Sequence, residues 1–367
     1  MDRHLQIDHE HEVNIMNWNP DRFLAYLYEK ESPAYRFQAS SQDEWKTWQK
    51  SLRDAFADVL GLPRIPRLSA ADNQIEWLED VQLDGYRRQR ISLPICPELD
   101  SPIYILTPSD AVPVPGGSTA RRPVVVAIHG HGYGSRDLVG LRPDGVMREP
   151  GDDKGYQKDF ALELVRHGFV VLVPEVVGFG DMRLSEDMKE RPGTSSCHRL
   201  TTNLEMMGLT LGGLRVFQIQ KILDFLETRD DLDTGRIGCM GISGGGLVCA
   251  FVAALDDRIK AAVVSGYTNT FKSSVLAIPH CIDNFFPNLV RVAEMPDLIG
   301  LIAPRPLLVE SGTEDSIFPV AAVREAYAQL EKIYGLLDAG EKLDLDLFPG
   351  DHQIGGVKAY PWLQHWL

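Results

Sequence analysis

A chain of 367 residues with 44% apolar and 24% charged side chains has the make-up of a globular protein with a sizeable core, organised as one large unit or two smaller ones. Its 37 basic against 52 acidic residues leave a net charge of −15, which repels phosphate backbones and anionic membranes and argues against nucleic acid as a partner. No apolar run reaches the roughly 20 residues of a membrane helix, and the amino terminus, MDRHLQIDHEHEVNIMNW, is charged throughout and lacks a leader's apolar core; a cytoplasmic protein with no membrane partner is expected.

In chain order, residues 8–12 (DHEHE) read as a solvated tail, because no second shell accompanies the two histidines. NPDRFLAYLYEKE and SQDEWKTWQKSLRDAFADVLGLP both place apolar residues at helical spacing, and the second stops at Gly-Leu-Pro. They make residues 1–75 an expected helical extension in front of a main domain over 76–367. EWLEDVQLDGYRRQRISLPI and SPIYILTP then read as strands, followed by the Pro/Gly loop SDAVPVPGGSTARRP.

Beyond that loop, VVVAIHG, FVVLVPE, RIGCMGIS, AAVVSG, PLLVESG and LDLDLFPG recur as short apolar runs. Between and after them lie the helical patterns QKDFALELVRHG, LGGLRVFQIQKILDFLETRDD, GGLVCAFVAALDD, VAAVREAYAQLEKIYGLL and AYPWLQHWL. This alternation predicts an α/β fold with a mostly parallel central sheet flanked by helices on both faces. Three connections, about 133–156, 179–200 and 267–304, are long for such a fold and are candidate pocket walls, the last as an insertion near the site. The five cysteines, Cys96, Cys197, Cys239, Cys249 and Cys281, lack CxxC spacing and are expected as reduced thiols in the core, with no metal site.

RIGCMGISGGGLVCAF reads as strand, sharp turn and helix, with Gly241-Ile242-Ser243-Gly244-Gly245 spelling G-x-S-x-G at the turn. Small neighbours let strand and helix approach while Ser243 is held exposed at the helix amino terminus, where the dipole and the Gly244 amide favour a negative oxygen. Neither G-x-G-x-x-G nor a phosphate-binding G-x-x-x-x-G-K-[ST] loop is present. A nucleophilic serine needs a histidine to take its proton and a carboxylate to orient that histidine. Asp315 follows PLLVESG and His352 follows LDLDLFPG, each just after a strand, in the order Ser, Asp, His.

Among the neighbouring acids, Glu310 lies within its strand, Glu314 is expected to point elsewhere and Asp351 directly precedes the histidine, so Asp315 is preferred. Of ten histidines only His352 follows the last strand in a glycine-bounded loop; His4, His9 and His11 lie in the tail, and His167 and His365 on helices. The oxyanion hole takes the Gly244 amide and a second amide, from His131 or Gly132, in the HGHGYG segment that ends an earlier strand.

With these parts in order, HGHGYG, PEVVGFGDMR, GCMGISGGG, APRPLLVESGTEDSIFP and FPGDHQIGG resemble the α/β-hydrolase superfamily over residues 76–367, in its dienelactone-hydrolase-like and acetyl-xylan-esterase-like bacterial branch. The resemblance implies a serine carboxylic-ester hydrolase acting on small esters, including acetylated sugars, with no cofactor. Dienelactone hydrolases carry cysteine as nucleophile, so Ser243 favours ordinary ester cleavage over lactone chemistry. Phe271, Ile278, Phe285, Phe286, His280 and Cys281 in the 267–304 segment either wall the acyl pocket or pack on the sheet. Alternatives are a prolyl-oligopeptidase-type serine peptidase, for which the front lacks a propeller's repeats, and a non-catalytic ligand-binding hydrolase fold. The sequence leaves open whether the chain forms a homo-oligomer.

Overall fold

The strand segments carry apolar residues in two alternating registers, and that pattern determines the layering. In a strand, successive side chains leave on opposite faces, so a run apolar at every position must be covered on both sides. The computed structural model describes residues 18, 20–65, 74–111 and 121–367. The 8–12 stretch, His4 and most of the 109–123 loop lie outside them.

In chain order the helices and strands are α1 (Pro20–Lys30), α2 (Gln42–Leu60), β1 (Glu76–Gln82), β2 (Tyr86–Cys96), β3 (Leu99–Pro108), β4 (Arg122–Ile128), α3 (Phe160–Arg166), β5 (Val170–Pro174), α4 (Cys197–Met206) and α5 (Leu211–Glu227). They continue with β6 (Leu232–Ile242), α6 (Gly244–Leu255), β7 (Ile259–Ser265), α7 (Leu289–Val292), α8 (Met295–Gly300), β8 (Leu307–Gly312), α9 (Val320–Leu336), β9 (Leu343–Phe348) and α10 (Ala359–Trp366). The nine strands form one sheet in the order β1-β2-β3-β5-β4-β6-β7-β8-β9. The first three strands pair antiparallel with one another, and β3 pairs antiparallel with β5. From β5 onward every pairing is parallel.

On β4, Val124, Val126 and Ile128 join one core, with α2, α5, α6 and α9, while Val125 and Ala127 join the opposite core, with α3 and α10. The α/β reading of the sequence thus matches the observed sheet. Two details differ. α4 and the short α7 and α8 lie in or at the edge of connections read as loops, because CHRLTTNLEM carries no long apolar stripe and the other two are four and six residues long. The predicted helix at QKDFALELVRHG is shortened to its last part, since Lys158 and Asp159 take left-handed backbone at φ 54° and 51°.

α2 is bounded as its sequence dictates. Ser41 accepts from the Glu44 amide, Glu44 reaches back to the Ser40 amide at 2.7 Å, and Gly61 closes the helix at φ 76°. Its buried stripe, Trp45, Leu52, Phe56 and Leu60, enters the same core as the sheet, with Phe56 edge-on to Phe251 of α6 at 4.7 Å. α1 buries no residue. Among the described residues no helix is long and apolar enough to cross a membrane.

Candidate active site

Ser243 stands between β6 and α6 at φ 58° and ψ −124°, a backbone region that residues with a Cβ seldom occupy. Crowding forces the turn. A Cβ at Gly245 would lie 2.6 Å from the His129 carbonyl oxygen, and one at Gly246 would lie 2.7 Å from that of Ser265, so α6 starts against β4 and β7 only because glycine fills both positions. The Ser243 amide donates to Ser265 O at 3.0 Å, fixing the turn on the sheet.

His352 lies in the loop after β9. Its Nδ1 pairs with Asp315 Oδ2 at 2.7 Å, and its ring is held between Tyr156 and Phe318, stacked at 5.5 and 5.7 Å. Asp315 is buried after β8, and its other oxygen, Oδ1, accepts from the amides of Ile317 at 2.8 Å and Phe318 at 2.9 Å. A carboxylate so bound orients Nδ1–H and leaves Nε2 as the lone-pair nitrogen. His352 Nε2 is buried and has no hydrogen-bond partner among the described residues. Glu314 and Asp351 are exposed, outside this arrangement.

Glu310 has a structural task that its strand position did not reveal. Its Oε1 accepts from Ser265 Oγ at 2.8 Å and the Gly355 amide at 3.1 Å, and its Oε2 from the Gly356 amide at 2.7 Å, tying the His352 loop to β7 and β8. Burial pushes the Glu310 carboxyl upward, against the pull of those three bonds.

The loop after β4 is held peptide by peptide. The Gly130 amide donates to Gln157 Oε1 at 2.7 Å, His129 Nδ1 donates to Gly130 O at 2.8 Å, and Tyr156 Oη donates to His131 O at 2.7 Å. The Tyr156 hydroxyl and Ser243 Cβ both crowd the α-carbon of Gly130, and burial raises the phenol well above its ordinary value, so it stays protonated. Sequence reading missed Tyr156 and Gln157; both fall at the end of a long loop with no periodicity to mark them. The His131 ring sits beside Gly244, with Nδ1 3.1 Å from where a Cβ on that glycine would stand, and its other nitrogen turns toward Asp283.

In the 267–304 segment Phe271 and Phe286 are buried in the core, while Ile278 and Phe285 are partly exposed at 38% and 36%. His280 stands edge-on to Phe318 at 5.7 Å, and burial lowers its basicity. Packing thus accounts for two of the four apolar residues considered for an acyl wall.

Comparison with known proteins agrees with this architecture. A model of the Abhydrolase family matches residues 22–333, a span that includes Ser243 and Asp315, begins within the helical front and ends before His352. A Bacillus subtilis (strain 168) protein named as a hydrolase, YtaP, is 29% identical over 260 residues, covering 67% of this chain and 79% of that protein. A Bacteroides fragilis structure described as an acetyl xylan esterase superposes with a TM-score of 0.74 at 17% identity, over 93% of this chain and 88% of that one. Acetyl Xylan Esterase 1 from Thermoanaerobacterium sp. gives 0.57 at 18% identity, over 94% and 98%. At such identities these two likenesses establish the fold. With the family model matched over most of its length, this chain belongs to the Abhydrolase family and is a hydrolase of the α/β-hydrolase fold.

Proposed function

We propose that the protein is a serine carboxylic-ester hydrolase in which Ser243, His352 and Asp315 form the triad. The observation that carries this reading is His352 itself: Nδ1 is fixed on Asp315 at 2.7 Å and the buried Nε2 has no partner among the described residues, while Tyr156, which stacks on the imidazole, also borders Ser243 and its strained backbone. An imidazole prepared in this way takes a proton at Nε2 and gives it back.

Ser243 Oγ attacks the ester carbonyl as its proton passes to His352, and the imidazolium formed is steadied by Asp315. The alcohol leaves with that proton, and water, activated by the same nitrogen, then releases the acid from the acyl-enzyme. One oxyanion donor is the Gly244 amide. For the other, the carbonyl of the 130–131 peptide is taken by the buried His129, and in a trans peptide the N–H points the opposite way. The 131–132 carbonyl faces Tyr156 on the Ser243 side, which turns the Gly132 amide away from it. The His131 amide is therefore the second donor, and each donor contributes about 3 to 4 kcal/mol to lowering the barrier.

The substrate class is short-chain acyl esters, including acetylated sugars, a choice supported by the descriptions of the structural neighbours. Hydrolysis of p-nitrophenyl esters from acetate to decanoate, by wild type and Ser243→Ala in parallel, tests the proposal. Wild type is expected to favour the shortest chains, with kcat/KM at least about a thousandfold lower in the variant. Equal rates from both proteins would refute it.

A further inference from the structure

Four metal-ligating side chains that the proposed reaction does not use converge behind the loop after β4. Cys197 opens α4, Cys281 and Asp283 lie between β7 and α7, and His131 comes from the loop itself. One ligand atom from each lies within 4.8 Å of the other three. Cys197 and Asp283 are 1% and 2% exposed. His131 Nε2 is buried, 3.6 Å from Asp283 Oδ2, with no hydrogen-bond partner among the described residues. Leaving a buried polar atom without a partner is costly, and a bound ion would satisfy it.

Neighbouring groups hold the ligand side chains in place. Arg215, fully buried, places Nη1 2.6 Å from Asp283 Oδ2 and Nη2 3.3 Å from Cys197 Sγ, and its Nε donates to Val177 O at 2.9 Å. Asn284 Nδ2 donates to Asp283 Oδ1 at 2.8 Å. These bonds orient ligand side chains from outside, as outer partners do in metal sites. Two thiolates and a carboxylate carry three negative charges and Arg215 one positive, so one divalent ion makes the cluster neutral.

We propose that His131, Cys197, Cys281 and Asp283 form a four-ligand site for a thiophilic divalent metal ion of the zinc class. Two sulfurs and an imidazole exclude calcium and magnesium, which take oxygen. Tetrahedral zinc, with bonds of about 2.3 Å to sulfur and 2.0 Å to nitrogen, sets ligand atoms roughly 3.3 to 3.8 Å apart, so the cluster need close only slightly. The ion would tie the loop carrying His131 to α4 and to the 267–304 segment, whether or not Ser243 is the nucleophile. The cysteines lack CxxC spacing because tertiary folding, not a local motif, brings them together.

Cobalt(II), a spectroscopic stand-in for zinc, tests the site when titrated anaerobically into reduced full-length protein. The expected result is thiolate-to-cobalt charge-transfer absorption saturating at one ion per chain and erased by one equivalent of zinc(II), with binding weakened about tenfold or more in Cys197→Ser and in Cys281→Ser. Circular dichroism identifies any variant that fails to fold, and the wild-type titration depends on no variant. Absence of the band in wild type, or its undiminished survival in both folded serine variants, would overturn the assignment.

Discussion

Tyr156 joins the parts of the site that other contacts leave separate. Its hydroxyl donates to His131 O at 2.7 Å and its ring stacks on His352 at 5.5 Å, so one side chain positions both the loop after β4 and the proposed base. Tyr156→Phe keeps the ring and removes the hydroxyl. A lost hydrogen bond of about 1 to 1.5 kcal/mol, felt mainly in the transition state, predicts kcat down about tenfold with KM little changed. Steady-state kinetics on p-nitrophenyl acetate would show it, and an unchanged kcat would reduce Tyr156 to packing. At this scale sequence legibility followed local geometry. Ser243 could be singled out because Gly241, Gly245 and Gly246 stand beside it for steric reasons, whereas Tyr156 and Glu310 act across the fold through contacts with no local pattern.

The helical front and the 267–304 segment join the main core through α2 and α8. α2 carries Phe56 into the main core, and Phe56→Ala should cost about 3 to 5 kcal/mol, read as a lower urea midpoint at unchanged m-value. A free-standing cap would lose its own helix and leave that midpoint where it was. In α8, Asp297 accepts from the Phe37 amide at 3.0 Å and the Glu294 amide at 3.2 Å. Burial, with Glu294 adding to it, raises the Asp297 carboxyl to about 6 in spite of those bonds. An acid raised on folding binds its proton more tightly in the native state, so wild type is stabilised below about pH 4 and loses that contribution as pH rises to about 6. Asp297→Asn does not titrate and should gain on wild type by on the order of 2 to 3 kcal/mol across that range in urea unfolding at pH 4 and pH 7. Elements were most legible where periodicity was long, as in α2 and α9. They were least so where polar or very short helices, such as α4 and α7, are held by tertiary contacts.

Across the molecule, the parallel half of the sheet sends the loops after β4, β6, β8 and β9 to one edge, and they carry His131, Ser243, Asp315 and His352 respectively. The alternation of strands and helices made that layering legible in advance. The proposed preference for His131 over Gly132 was not, because it rests on which carbonyls His129 and Tyr156 occupy. The reading of the site turns on one proposal, that Ser243 is a nucleophile activated by His352. Its most direct test is reaction of the full-length protein with a fluorophosphonate, followed by intact-mass and peptide-mapping mass spectrometry while esterase activity is monitored. One adduct per chain on Ser243 is expected, with loss of activity in step with labelling and slow labelling in His352→Ala. Full labelling at another residue, or activity that survives a stoichiometric adduct on Ser243, would contradict it.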